Sequence, residues 1–144
     1  MANHRSVGSN GGILANGGNG SVPLGGVTVT FTVAVPATVG QGDELRFTGA
    51  NAETLYILAR SSAFQLTVQA PAASAHTGQN YQIRRAYTLL QDWENARDGD
   101  LVAENRSELG VAYADSTGLH GRARLRRLPH RRHAHDEADR RTRA

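Results

Sequence analysis

Apolar side chains alternate with small polar ones through VTVTFTVAV, residues 27–35, so Val27, Val29, Phe31, Val33 and Val35 share one face. A period of two in β-branched residues predicts a half-buried strand, and Pro36 ends it. VGQGDELRFTG, residues 39–49, predicts a glycine-marked turn and then a short strand from Glu44 to Thr48. ETLYILAR (53–60) and AFQLTVQA (63–70) predict two more strands, joined tightly through Arg60, Ser61 and Ser62 and closed by Pro71. PAASAHTGQ reads as a loop. NYQIRRAY (80–87) then predicts a fifth strand, with Tyr81, Ile83 and Arg85 opposite Gln82, Arg84 and Ala86.

Short strands spaced by turn signals predict a mainly β fold, a small antiparallel barrel or sandwich of about five strands. The period changes in TLLQDWENARDGD, where Leu89, Leu90, Trp93 and Ala96 form one helical stripe. Thr88 with Gln91 fits a capping box, and Gly99 sits where a helix C-terminus is expected. So short a helix does not persist alone. Leu89, Leu90 and Trp93 are therefore expected to dock it on the sheet, with Trp93 as a plug. DLVAENRSELGVAYAD, residues 100–115, offers one more strand from Glu108 to Tyr113.

Composition divides the chain into three. Residues 1–26 hold eight of the sixteen glycines, among Asn and Ser, which predicts a flexible lead-in because fixing glycine costs the most backbone entropy. A phosphate cradle would need a strand before these glycines and a helix after them, and neither is indicated. All eight aromatic residues lie between Phe31 and Tyr113, so the core is expected in a β module spanning 27–115, with its helix near 88–97. Residues 116–144 read as an arginine- and histidine-rich disordered tail. The net charge of +3 hides this division: residues 1–118 carry seven arginines against ten carboxylates, and residues 119–144 carry nine against three. There is no lysine, which points to GC-rich coding DNA, and no cysteine, which removes disulfide and zinc-thiolate chemistry. No run approaches the about 20 apolar residues of a membrane-spanning helix, and the N-terminus lacks the apolar core of a signal peptide.

Candidate chemistry is sparse. Arg122, Arg124, Arg126, Arg127, Arg131 and Arg132 could neutralise phosphates, which would give salt-sensitive, sequence-independent binding of nucleic acid. No aromatic residue interleaves them to stack bases, so the bland reading is a solvated tail. His130, His133 and His135 with Asp136, Glu137 and Asp139 could hold a metal ion loosely, but no apolar residue docks them on a scaffold. Asp98-Gly99-Asp100 with Glu104 lacks the spacing of a calcium-binding loop and reads as a polar turn. Adjacent carboxylates, Asp43/Glu44 and Glu94/Asp98, say nothing about the facing geometry that glycoside hydrolysis needs. Ser61 and Ser62 have no evident base, and His76 falls in the predicted loop. No catalytic residue, cofactor site or metal site is expected. Tyr56, Tyr87 and Trp93 would have to be exposed for a carbohydrate-binding or lyase accessory domain.

NYQIRRAYTLLQDWENARDGDLVAENRSELGVAYAD, residues 80–115, resembles a segment of large bacterial surface or secreted proteins. In these proteins a small β module precedes right-handed parallel β-helix (pectate-lyase-like) repeats. The matching positions are Leu90, Gln91, Trp93, Glu94, Arg97, Asp98, Gly99, Asp100, Leu101 and Val102, then Gly110, Val111 and Tyr113. VGQGDELRF is similar to small β modules of fibre-like proteins, so the resemblance spans about residues 40–115 and brings no catalytic residue with it. It implies a non-enzymatic structural or adhesive module at the cell surface or outside the cell. Its expected partners are other domains of a longer parent chain, and a carbohydrate or protein surface, with no membrane insertion. The alternative is a small basic protein that binds nucleic acid through its tail. After Asp115 the resemblance requires a stretch like Thr-His-x-Met-x-Leu-Thr-Val-Ala-Pro-Gly. HAHDEADRRTRA, read one nucleotide further on, is permitted by codon degeneracy to give such a stretch. The expectation is a truncated fragment, frameshifted between Asp115 and His130, which the nucleotide sequence decides.

Overall fold

A computed structural model of the chain describes residues 2–8, 11–99 and 107–113. The fold is mainly β, and its central element is a closed six-stranded antiparallel barrel. In chain order the elements are β1 (Ala2–Val7), β2 (Ala15–Val22), β3 (Thr28–Phe31), β4 (Glu44–Phe47), β5 (Glu53–Ser62), β6 (Gln65–Val68), β7 (His76–Arg84), α1 (Leu90–Arg97) and β8 (Ser107–Ala112). Around the barrel the order is β2-β3-β6-β5-β4-β7, with β7 returning to β2. Closure leaves the barrel itself no unpaired edge for aggregation. The second sheet is a two-stranded ribbon in which β1 runs parallel to β8, Ala2 opposite Ser107 and Val7 opposite Ala112. Among the described residues, no helix is long and apolar enough to cross a membrane.

The alternation read from the sequence becomes an inside and an outside. Five barrel strands each bury two apolar side chains: Val29 and Phe31, Leu45 and Phe47, Leu55 and Ile57, Leu66 and Val68, Tyr81 and Ile83. Val35, Val39 and Ala72 belong to the same core. Phe31 meets Tyr81 edge-on, 4.8 Å between ring centroids, a geometry that contributes about 0.5–1.5 kcal/mol beyond area burial.

Several expectations need correction. Residues 1–26 are not simply a flexible lead-in, because β2 is a barrel strand and β1 is half of the ribbon. The reason lies in the interior. A Cβ at Gly20 would stand 2.8 Å from Cε1 of Phe47, and one at Gly17 would stand 3.4 Å from the Tyr81 ring. Two large aromatic side chains thus take the space that side chains on β2 would otherwise fill, and glycine is where another group can approach the strand closely. The barrel therefore has six strands, the sixth coming from sequence with almost no apolar signal.

The strand predicted over 27–35 ends at Phe31, leaving Val33 61% exposed and Val27 41% exposed. Its partner β6 begins at Gln65, so the chain has no ladder to follow beyond Phe31. The β5–β6 connection lies at Ala63 and Phe64, since β5 continues through Ser62. β7 starts at His76, inside the predicted loop, and ends at Arg84, although the alternation persists far enough to bury Arg85.

Helix α1 has Leu89 at its N-cap with no side-chain cap, and Gln91 donates to Asn95 at 3.0 Å within the helix instead of closing a box with Thr88. None of its residues is fully buried. Trp93 lies over Gly110 of β8, where a Cβ would be 3.3 Å from the indole, so the helix rests on the ribbon and not on the barrel.

Candidate functional site

The ribbon is fastened to one end of the barrel by a buried polar lock. Gly42, at φ +85°, turns the chain into β4 and brings its carbonyl 2.8 Å from the Ser6 amide. The turn is tight enough that a Cβ at Gly42 would stand 2.5 Å from the Ser6 nitrogen. Next in sequence, the wholly buried Asp43 accepts two hydrogen bonds from Nη1 of Arg85, at 2.9 and 2.7 Å, and one from the Gly40 amide at 2.9 Å. Burial pushes the Asp43 carboxyl above its ordinary value, against the opposing pull of Arg85, the Ser6 hydroxyl and the Gly40 amide. Ser6 Oγ also accepts from the Ala86 amide at 2.8 Å.

Arg85 lies over the Tyr113 ring at 3.7 Å, and the Tyr113 hydroxyl donates to the Gln41 carbonyl at 2.7 Å. The strand ends are held by backbone bonds, Gly8 N–H to Tyr87 O, Tyr87 N–H to Ser6 O and Tyr113 N–H to Val7 O. Further along β1, the Gln69 side chain acts as a single rung of ladder. Its Oε1 accepts from the His4 amide and its Nε2 donates to the His4 carbonyl, both at 2.8 Å. Arg5 stacks over the half-buried Tyr56 ring at 3.5 Å, a cation–π contact of about 0.5–2 kcal/mol.

One edge of β1 is therefore tied to the barrel and the other is paired with β8. Among the described residues β8 pairs with β1 alone. One face of β8 is occupied, with Glu108 bonded to Asn3 at 3.1 Å and paired with Arg97 of α1. The other presents Leu109, 49% exposed.

A second polar cluster lies around the start of β7. His76, its side chain fully buried, sets Nε2 2.9 Å from Glu53 Oε2 and Nδ1 2.7 Å from Gln79 Oε1. Phe47 stacks on the imidazole at 4.0 Å. Burial works against ionisation of Glu53, but the Ala73 amide, the His76 ring and the Ser74 amide outweigh it and hold the carboxyl below its ordinary value. Beside this cluster an open cleft of about 680 Å³ runs between Val22, Pro23, Leu24 and Val27 on one side and Ala75, His76 and Thr77 on the other.

The residues singled out in the sequence are scattered. Leu89 is 54% exposed, Leu90 and Trp93 are half-buried, and Trp93 provides the helix's contact with β8. Arg122, Arg124, Arg126, Arg127, Arg131 and Arg132 lie outside the described residues, as do His130, His133 and His135. Asp43 and Glu44 part company, Asp43 going to Arg85 and Glu44 to Arg46. Ser61 pairs with Thr67 and Ser62 with the Phe64 amide. Among the described residues no group of histidines and carboxylates is arranged to hold a metal ion.

Sequence reading missed the lock and the His76 cluster, because their members lie from about 20 to about a hundred residues apart. Arg85 on the inward face of its strand was the one available signal. No protein-family model matches the chain, and searches of curated proteins and of solved structures return no match.

Proposed function

We propose that the chain is a non-enzymatic structural or adhesive module of a larger bacterial surface or fibre-like protein, joined to its neighbour through the outer edge of β8. The observation that carries this reading is the parallel β1–β8 ribbon, locked to a closed barrel through β1, with β8 paired among the described residues with β1 alone. An unpaired strand edge is a template for another strand, and proteins that do not use such an edge blunt it with charge, proline or a bulge. Leu109, on the exposed face of β8, carries none of these. The buried charged groups support the same reading, since Asp43, Arg85 and His76 are engaged in holding segments together.

The test is association of the chain with itself or with a further β repeat. Sedimentation equilibrium is expected to show concentration-dependent association, and Leu109→Lys is expected to weaken it at least about tenfold with the melting temperature unchanged. A chain that stays monomeric at high concentration and binds no added repeat would sink the proposal. The excess of arginine over carboxylate in residues 119–144 favours a second reading, binding of nucleic acid. In that case deleting those residues abolishes a salt-dependent affinity for DNA or RNA, whereas the structural role survives the deletion.

A further inference from the structure

We infer that an open cleft between α1 and β8 binds a neutral saccharide, a site that rests on the adhesive role proposed above and gives it a ligand class. The cleft holds about 350 Å³, near the small end of the range for ligand sites, with room for a mono- or disaccharide. Trp93 is its aromatic lining. One face of the indole lies against Gly110, where a Cβ would stand 3.3 Å from both Cδ2 and Cε2, so β8 fixes the ring's orientation. The ring is half-buried and keeps part of its surface for the cleft. A sugar ring offers such a surface its C–H groups and turns its hydroxyls to the polar groups around it.

Those polar groups select the class of ligand. Among the described residues, the Trp93 indole N–H and the Arg97 Nε–H are buried and meet no acceptor, although Arg97 Nη2 pairs with Glu108. Donors left in that state are rare in folded proteins, and a hydroxyl in the cleft is an acceptor of the kind they lack. Gln91 Nε2 donates to Asn95 Oδ1 at 3.0 Å, which leaves the Gln91 carbonyl to accept and the Asn95 amide to donate. Glu94 and Asp98 line the same cleft as exposed acceptors. An anion would use the donors alone, and would face Glu94, Asp98 and Glu108 against the single guanidinium of Arg97. A cation would use the acceptors alone and leave the indole and guanidinium N–H groups unmet. A hydroxyl both donates and accepts, so a neutral polyol matches the whole lining.

Trp93 is the chain's single tryptophan, so its fluorescence reports on the cleft alone. The test is titration of the whole chain with glucose, galactose, mannose, N-acetylglucosamine, maltose and lactose, with glucuronate and inorganic phosphate as anionic controls. At least one neutral sugar is expected to give a saturable change with a dissociation constant on the order of 1 mM, and the anions none. Glu94→Ala and Asp98→Ala, both at exposed positions where the fold tolerates change, are each expected to weaken that binding at least about tenfold. No saturable response to any of these sugars, an equal response to the anions, or full affinity in both variants would overturn the inference. Sedimentation equilibrium on the same samples separates the cleft from the β8 edge. Association without a sugar response sinks the saccharide site alone, whereas a sugar response from a monomeric chain upholds the site and sinks the edge pairing.

Discussion

At the scale of single residues, the molecule relies on positions whose neighbours are remote in sequence. Gly42 is the sharpest case. Its φ of +85° disfavours any side chain, and a Cβ there would collide with the backbone of Arg5 and Ser6. Gly42→Ala is expected to cost about 1–3 kcal/mol from backbone strain alone. It should also displace β1 from the barrel, seen as loss of the Ser6 and Tyr87 amide protection in hydrogen exchange. Full protection in that variant would show that the approach is less tight than the geometry requires.

Glu53 gives a second residue-scale consequence, on the acid side. Its folded value is depressed, so it contributes stability that is in place above the ordinary glutamate value of about 4.3 and is lost as pH falls through the lower folded value. Urea unfolding midpoints of the wild type should decline across that acid interval, and Glu53→Gln should flatten part of the decline. Parallel acid limbs in the two proteins would assign the effect to other carboxylates.

At the scale of elements, the barrel and the ribbon differ in what holds them. Barrel strands are closed on both sides and share one apolar core, so each supports its neighbours. The ribbon depends on the polar lock, on Gln69 and on α1. That helix has eight residues and buries none of them fully, too little to persist by itself. Trp93 over Gly110 and the Arg97–Glu108 pair fix it in place. Trp93→Ala is accordingly expected to abolish helical chemical shifts over Leu90–Arg97 and to shift the barrel's unfolding midpoint by less than about 1 kcal/mol. A large loss of barrel stability would mean that the helix supports more than the ribbon.

At the scale of the whole molecule, what was legible in the sequence follows from the range of the forces involved. Alternation of apolar side chains is a local signal, and it marked the inward faces of β3 to β7, because a strand half-buried in a core must alternate. The same signal ran too far at Val33, since pairing depends on how long the partner is, and β6 is short. It failed altogether at β2, where the inward positions include glycines because Phe47 and Tyr81 fill the space from the far side. Barrel closure, the parallel pairing of β1 with β8 and the lock of Ser6, Asp43, Arg85 and Tyr113 join segments up to about a hundred residues apart. By itself the sequence determined a mainly β module with a short helix and its aromatic core between Phe31 and Tyr113. Only the tertiary structure decided that the barrel has six strands, that the glycine-rich start belongs to it, and that β8 pairs with β1 in a parallel ribbon. Periodicity is written in neighbouring residues, whereas strand partnership and buried charge pairing are chosen by whatever the folded chain brings alongside.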